Sequence, residues 1–203
     1  MSAFLGPIHY WLFNKIKRQQ DIVNEIFAIS KEFGITIEEE CKIKYGEFEK
    51  EPLEEIIDQS NIHGWLQERV SQVEFQYAYA VTELLKFNPT ALEQLKTLLF
   101  QKGAALGNEI NTSELSVPGM FKVISDNLLD GMPCDHANSL VDQNENEVVW
   151  KRNLCVHEDY WSEAGGDISV YYELRDAFME GLTKSCGMEF EKLGPATYRI
   201  KKH

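Results

Sequence analysis

Hydrophobic residues recur at helical spacing through the first half of the chain. Apolar positions follow a period close to 3.6 residues from about residue 7 to residue 32, and Gly34 then stops the run. A second long helix is expected at about 61–87, and a third begins shortly after it. Gly103 and Gly107 lie inside this third helix, which favours close helix packing over phosphate binding. The first half is therefore predicted to be helical.

The second half changes to shorter segments. The stretch VDQNENEVVW places a polar turn between two β-favouring runs and predicts a hairpin over about 134–156. A helix capped by Asp167 and ended by Gly187 should follow, and then the closing strands MEFEKL and ATYRIKK. The pattern predicts an α+β fold, with a helical N-terminal half followed by a small antiparallel sheet made of the hairpin, a crossing helix and two closing strands. Residues 1–97 are expected to form the helical region and residues 98–203 an α+β ligand-binding-like domain, both within one compact unit.

Charge and composition narrow the set of partners. The formal net charge of −13 argues against a nucleic-acid interface, which needs a basic face, and against anionic membrane surfaces. No signal peptide or membrane span is expected, because His9, Asn14 and Lys15 interrupt the apolar residues near the N-terminus. Four thinly spread cysteines without an export signal predict reduced thiols and a cytoplasmic location.

Cys-x-His occurs twice, at the two ends of the predicted hairpin. A two-residue loop at Glu145-Asn146 would place Cys134 opposite His157, and His136 opposite Cys155. Directly opposed Cβ atoms lie about 5 Å apart, within reach of a shared metal, and thiolate with imidazole suits iron or zinc. A three-residue loop would instead put the pairs on opposite faces. The alternatives are a hairpin with unremarkable Cys and His side chains, or a thiol or acid–base role.

The pentad Ile-His-x-Trp-Leu also occurs twice, near the start of two predicted long helices. Its histidines, His9 and His63, could supply further metal ligands or axial ligands to a tetrapyrrole. Trp11, Trp65 and Trp161 would then form the walls of the cofactor site. The alternative is that each tryptophan packs in the core and each histidine is a polar residue at a helix boundary.

The order of features from Leu98 to the C-terminus resembles a known family. The segments that carry the likeness are LLFQKGAALGNEI, MFKVISDNLL, the hairpin, RDAFMEGLTKSCG and EFEKLGPATYRI. Their layout is similar to that of 4-vinyl-reductase-type domains, which are relatives in fold of haem-NO-binding domains and of TRAPP trafficking subunits. The resemblance covers about half the chain. It implies a module that senses or handles a small molecule or a metal, often a hydrophobic or tetrapyrrole-related ligand.

Three functions remain open from the sequence. The main expectation is a protein that binds a small-molecule ligand, iron, zinc or a tetrapyrrole in a cavity between the N-terminal helices and the Cys/His face. The first alternative is a metal- or cysteine-dependent hydrolase, with Cys155 as the nucleophile and a histidine as the base. The second is a protein-interaction module without a cofactor, for which a homo-oligomer is expected. Whether the chain is an enzyme at all is undecided at this point.

Overall fold

The computed structural model describes residues 4–202, which form eight α-helices and one four-stranded sheet. The helices are α1 (Pro7–Glu32), α2 (Glu38–Tyr45), α3 (Leu53–Ile56), α4 (Ile62–Phe87), α5 (Ala91–Asn108), α6 (Val117–Asn127), α7 (Glu158–Glu163) and α8 (Ile168–Ser185). The strands are β1 (Asn138–Gln143), β2 (Glu147–Arg152), β3 (Met188–Gly194) and β4 (Thr197–Lys202). Two short 3-10 helices cover Thr112–Glu114 and Pro133–Asp135. The predicted α+β class, with a helical first half followed by an antiparallel sheet, is confirmed.

Two compact units make up the chain. The first, here called the helical unit, contains the residues up to Pro89 together with Asn127–Cys134 and His157–Asp167. The second, the sheet unit, contains Thr90–Asp126, Asp135–Val156 and the chain from Ile168 onward. The division predicted between residues 97 and 98 lies inside α5, which belongs wholly to the sheet unit.

Helices α1 and α4 form the centre of the helical unit. Proline at the first helical position opens α1, and the Asn61 side chain caps α4 by accepting a hydrogen bond from Gly64 N–H (3.2 Å). Each helix buries one apolar stripe, comprising Leu12, Ile16, Val23, Ile26 and Phe27 on α1 and Leu66, Val70, Val73, Tyr77 and Val81 on α4. Among residues 4–202, no helix combines the length and apolar character needed to cross a membrane.

The sheet unit is built on an antiparallel sheet with strand order β1-β2-β4-β3. Residues that alternate along the central strands point to one buried face, where Trp150 stacks on Tyr198 with ring centroids 5.5 Å apart. The opposite face is charged, and Arg199 there bonds Glu191 and lies 3.5 Å from Glu147. The two faces of the sheet therefore differ sharply in polarity.

Glycines allow α5 and α8 to pack closely in the sheet unit. A Cβ atom placed on Gly103 would collide with the carbonyl oxygen of Phe178 and lie 2.9 Å from the Leu182 nitrogen. A Cβ atom on Gly107 would lie 2.8 Å from the Leu182 carbonyl oxygen. These contacts confirm that the glycine spacing serves helix packing.

The hairpin has the predicted turn but not the predicted register. Asn144 N–H donates to the Glu147 carbonyl (2.9 Å), which leaves a two-residue loop at its tip. A β-bulge between Leu140 and Asp142 then shifts the pairing by one residue. The bulge adds one residue to β1, so it changes the register as a three-residue loop would have done. The cross-strand opposition expected for the Cys-x-His motifs therefore does not form. Both motifs also lie outside the paired strands, and His136 has a positive φ of 49° that no regular strand adopts.

Candidate functional site

The residues predicted as a Cys/His metal set occupy different environments. Cys134 and His157 belong to the helical unit, where Cys134 is exposed and His157 is buried. His136 and Cys155 belong to the sheet unit, where His136 is exposed and Cys155 is half-buried. Within the described part of the chain, no three His, Cys, Asp or Glu side chains are grouped so that they could hold a metal ion. The expectation of an iron or zinc centre at these residues therefore gains no support and stays a prediction.

The two histidines of the repeated pentad do come together in the helical unit. The rings of His9 and His63 lie 5.7 Å apart at an interplanar angle of 60°. However, Gly6 N–H donates to His9 Nδ1 (2.9 Å), which assigns the proton of the neutral ring to Nε2. With one nitrogen accepting and the other protonated, His9 offers no lone pair to a metal unless this helix-capping bond breaks. The geometry gives His9 a role in starting α1.

The three tryptophans predicted as cofactor walls are in contact with protein side chains. Trp65 packs against Phe13 with centroids 5.9 Å apart, and Lys15 Nζ lies 3.6 Å from the Trp11 ring. Trp161 is buried and meets the Tyr77 ring edge-on at 6.0 Å. These contacts give the three tryptophans packing partners within the protein, and their role as walls of a cofactor site stays a prediction.

A buried charged cluster in the helical unit contains His157. Its Nδ1 lies 2.9 Å from Glu74 on α4, and its Nε2 lies 3.6 Å from Asp130. Gln19 of α1 donates to the other oxygen of Glu74 (3.0 Å). Burial lowers the pKa of His157, but the two carboxylates outweigh burial and raise it to about 9. An imidazolium ion between two carboxylates, with His157 and Glu74 only 2% and 1% exposed, links α4 to the start of α7.

A second polar cluster lies at one end of the buried face of the sheet. Tyr172, Arg175 and Asp176 are spaced i, i+3 and i+4 on α8 and so share one helix face. Lys192 of β3 pairs with Tyr198 of β4, and Arg152 ends β2 on the same side as Trp150. We call the set the arginine–tyrosine cluster; it consists of Arg152, Tyr172, Arg175, Asp176, Lys192 and Tyr198.

Contacts between the helix and the sheet hold the arginine–tyrosine cluster together. The Arg152 guanidinium lies 3.6 Å from the centre of the Tyr172 ring, a cation–π contact. Lys192 Nζ lies 2.8 Å from an Asp176 oxygen. The Tyr172 hydroxyl donates to the sulfur of Cys155 (3.1 Å), which places this thiol at the edge of the cluster.

The arginine–tyrosine cluster is locally positive in an acidic chain. It holds three cationic side chains and one carboxylate, a surplus of two positive charges, whereas the whole chain carries −13. Burial raises the pKa of Tyr172 and of Tyr198, while Arg152 and Arg175 act in the opposite direction. Both pKa values stay above the ordinary tyrosine value, so both side chains remain neutral hydroxyls that can donate hydrogen bonds.

Several buried polar atoms in the arginine–tyrosine cluster lack a hydrogen-bond partner. Tyr198 is 1% exposed, and its hydroxyl has none among the residues that the structure describes. The same holds, within residues 4–202, for Arg152 Nη1 and Asp176 Oδ1. An unsatisfied buried polar group costs roughly 1–3 kcal/mol. Two of these three atoms are donors, and a carboxylate or phosphate oxygen would satisfy them.

The arginine–tyrosine cluster was not predicted from the sequence, although the sequence of α8 contains one signal for it. Arg175 interrupts the apolar stripe of α8 and is buried there. A buried arginine is rare unless it is paired, so its position on an otherwise apolar helix face points to a polar site. Glu74, in the apolar stripe of α4, gives the same signal for the histidine cluster.

Comparison of the chain with protein-family models, with curated proteins and with solved structures finds no match. The resemblance to 4-vinyl-reductase-type domains therefore stays a prediction.

Proposed function

We propose that this protein binds a small ligand that carries an anionic group, a carboxylate or a phosphate, at the arginine–tyrosine cluster. The observation that carries the proposal is the buried Tyr198 hydroxyl, which has no partner among the described residues and lies within electrostatic range of Arg152 and Arg175. An anion would supply the missing acceptor and offset the surplus positive charge. Of the functions open from the sequence, small-ligand binding is the one that these contacts support.

The chemistry of the donors favours an anion over a neutral ligand. Guanidinium groups present planar N–H donors that match carboxylate and phosphate oxygens, and hydrogen bonds to charged groups contribute about 1.5–3 kcal/mol. One oxygen of the Asp176 carboxylate lies 2.8 Å from Lys192 Nζ, so these two charges pair with each other. Arg152 Nη1, which has no hydrogen-bond partner among the described residues, is then the cationic donor that an anion would meet. The rest of the acidic chain repels anions, so the cluster is a local exception to the overall field.

A cysteine hydrolase is less well supported by the same contacts. A nucleophilic thiol needs a hydrogen-bonded base that removes its proton. At Cys155 the partner is the Tyr172 hydroxyl, which donates to the sulfur. Because the pKa of Tyr172 is raised, this hydroxyl keeps its proton and does not act as a base at neutral pH.

Anion binding can be tested by calorimetric titration with phosphate, pyrophosphate, benzoate and citrate at constant ionic strength. We expect at least one of these probes to bind. Arg152→Gln should raise the Kd for that probe by about tenfold or more, because it removes one charge-assisted hydrogen bond. Arg199→Gln is the matched control, because Arg199 adjoins Tyr198 on β4 but points to the opposite face. Circular dichroism checks that both variants are folded.

Two outcomes would overturn the proposal. One is that none of the four probes binds the wild-type protein. The other is that Arg199→Gln weakens binding as much as Arg152→Gln does, which would mean that the anions respond only to total charge.

A further inference from the structure

We infer that Cys155 is a modification site for small anionic disulfides, which the arginine–tyrosine cluster attracts to its sulfur. This inference rests on the anion binding proposed above and adds a chemical step to it. The product is a mixed disulfide on the protein, so the occupancy of the cluster would depend on the thiol redox state.

The position of Cys155 supports this step. Cys155 lies three positions after Arg152, in the segment that follows β2, and its side chain is half-buried. The Tyr172 hydroxyl donates to its sulfur (3.1 Å), and Arg152 holds the Tyr172 ring in place from 3.6 Å. Because the hydroxyl donates and the sulfur accepts, this bond persists when the thiol loses its proton. The sulfur is thus fixed beside the groups that would bind an anion.

The partnerless buried hydroxyl of Tyr198 is a second and independent pointer to a ligand. It belongs to the same cluster and does not contact the thiol by any hydrogen bond that the described residues form. A disulfide reagent that carries carboxylates offers acceptors to the Tyr198 hydroxyl and Arg152 Nη1, and a sulfur to the Cys155 thiol. The ligand class is therefore a small disulfide with a surplus of carboxylate groups.

The other cysteines lack these surroundings. Cys41 and Cys186 are buried, and burial raises the pKa of each, that of Cys41 to about 12. Cys134 is exposed, and its neighbour in the chain is the acidic Asp135. Cys134 is therefore an internal control, a reachable thiol in the same molecule with an acidic rather than a basic neighbour.

The reaction is a thiol–disulfide exchange. The Cys155 thiolate attacks one sulfur of the reagent, a new S–S bond forms, and the S–S bond of the reagent breaks. The departing thiolate takes up the proton that Cys155 lost. Cys155 is oxidised, and the released half of the reagent is reduced by the same electrons.

The test compares an anionic and a cationic disulfide on the full chain. The protein is treated with oxidised glutathione or with cystamine at equal concentration and ionic strength, and the rates at Cys155 and Cys134 are read by mass spectrometry of peptides. For each cysteine, we divide the rate of reaction with oxidised glutathione by the rate with cystamine. We expect this ratio to be at least about tenfold higher at Cys155 than at Cys134, because a charged site concentrates ions of opposite charge on that scale. Arg152→Gln should bring the two ratios together, and Arg199→Gln should leave them apart.

Equal ratios at the two cysteines in the wild-type protein would overturn the inference, and so would a Cys155 that reacts with neither reagent. If phosphate or citrate still binds the cluster in calorimetry while either result is seen, the inference fails and the proposed function stands. If none of the probes binds, the proposed function fails. If, in addition, the ratio at Cys155 stays high in Arg152→Gln, the arginine–tyrosine cluster is not what attracts anionic disulfides, and the inference fails as well. Cys155→Ser, which keeps the anion donors, shows whether binding is independent of the thiol.

Discussion

Removal of the Tyr198 hydroxyl should stabilise the protein, although it deletes a polar group from a well-packed site. Tyr198→Phe keeps the ring, which stacks on Trp150 (5.5 Å) and on Phe190 (6.0 Å). The deleted hydroxyl is buried and has no hydrogen-bond partner within residues 4–202, so no hydrogen bond offsets the free-energy cost of removing it from water. That cost is roughly 1–3 kcal/mol, and we expect the free energy of unfolding to rise by about 1 kcal/mol or more.

Tyr172→Phe is the matched comparison, since it makes the same chemical change at the other tyrosine of the cluster. Here the hydroxyl makes a hydrogen bond to Cys155 (3.1 Å), and its loss should lower the free energy of unfolding by about 0.5–1.5 kcal/mol. The two substitutions should therefore shift stability in opposite directions. Urea unfolding followed by circular dichroism measures both shifts as changes in midpoint at an unchanged m-value.

A loss of stability in Tyr198→Phe as large as that in Tyr172→Phe would refute the assignment of an unsatisfied hydroxyl. The proposed anion site would then lose its main support. If Tyr198→Phe is instead stabilised and also binds anions more weakly, the hydroxyl costs the free protein stability and contributes to binding.

Three further predictions concern the rest of the molecule. Gly103→Ala should lower the urea midpoint, because overpacking of α5 on α8 costs about 1–3 kcal/mol and outweighs a helix-propensity gain of about 1 kcal/mol. Gly194→Ala is the control, because a Cβ at this position meets no described atom within 4 Å. The buried His157 should contribute about 3 kcal/mol below its ordinary pKa of 6.5, and this contribution should fall as pH rises through about 9; a stability profile of His157→Gln that keeps this alkaline fall would contradict the assignment. Cys134 should react with iodoacetamide quickly and Cys41 only after unfolding, as timed labelling would show.

Local patterns predicted the elements of this fold well. The periodicity of α1 and α4 extends over 26 residues in each helix, long enough for the apolar stripe to identify it without tertiary information. The polar turn around Glu145-Asn146 was also predicted, because turn chemistry is local, whereas the length of its loop was left open. The bulge in β1 was not, since it adds one residue to a strand without changing the hydrophobic pattern that a sequence displays.

The candidate site could be predicted only in part. Arg152, Tyr172 and Tyr198 lie on three different elements, and they meet because β2 pairs with β4 and α8 packs on that face. Neither pairing nor packing follows from the spacing of these residues along the chain. Cys155 was recognised as chemically interesting from its neighbour two positions away, whereas its observed partner is the Tyr172 hydroxyl, 17 positions away.

The bulge in β1 has a further consequence for self-association. β1 is an edge strand of the sheet, and its side chains Leu140 and Val141 are 50% and 57% exposed. A regular apolar edge offers evenly spaced N–H and C=O groups to a strand from another molecule, which is how sheets join into aggregates. The extra residue breaks that spacing in the middle of the strand. The irregularity that prevents the Cys-x-His pairs from facing each other thus also protects the exposed edge from the addition of another strand.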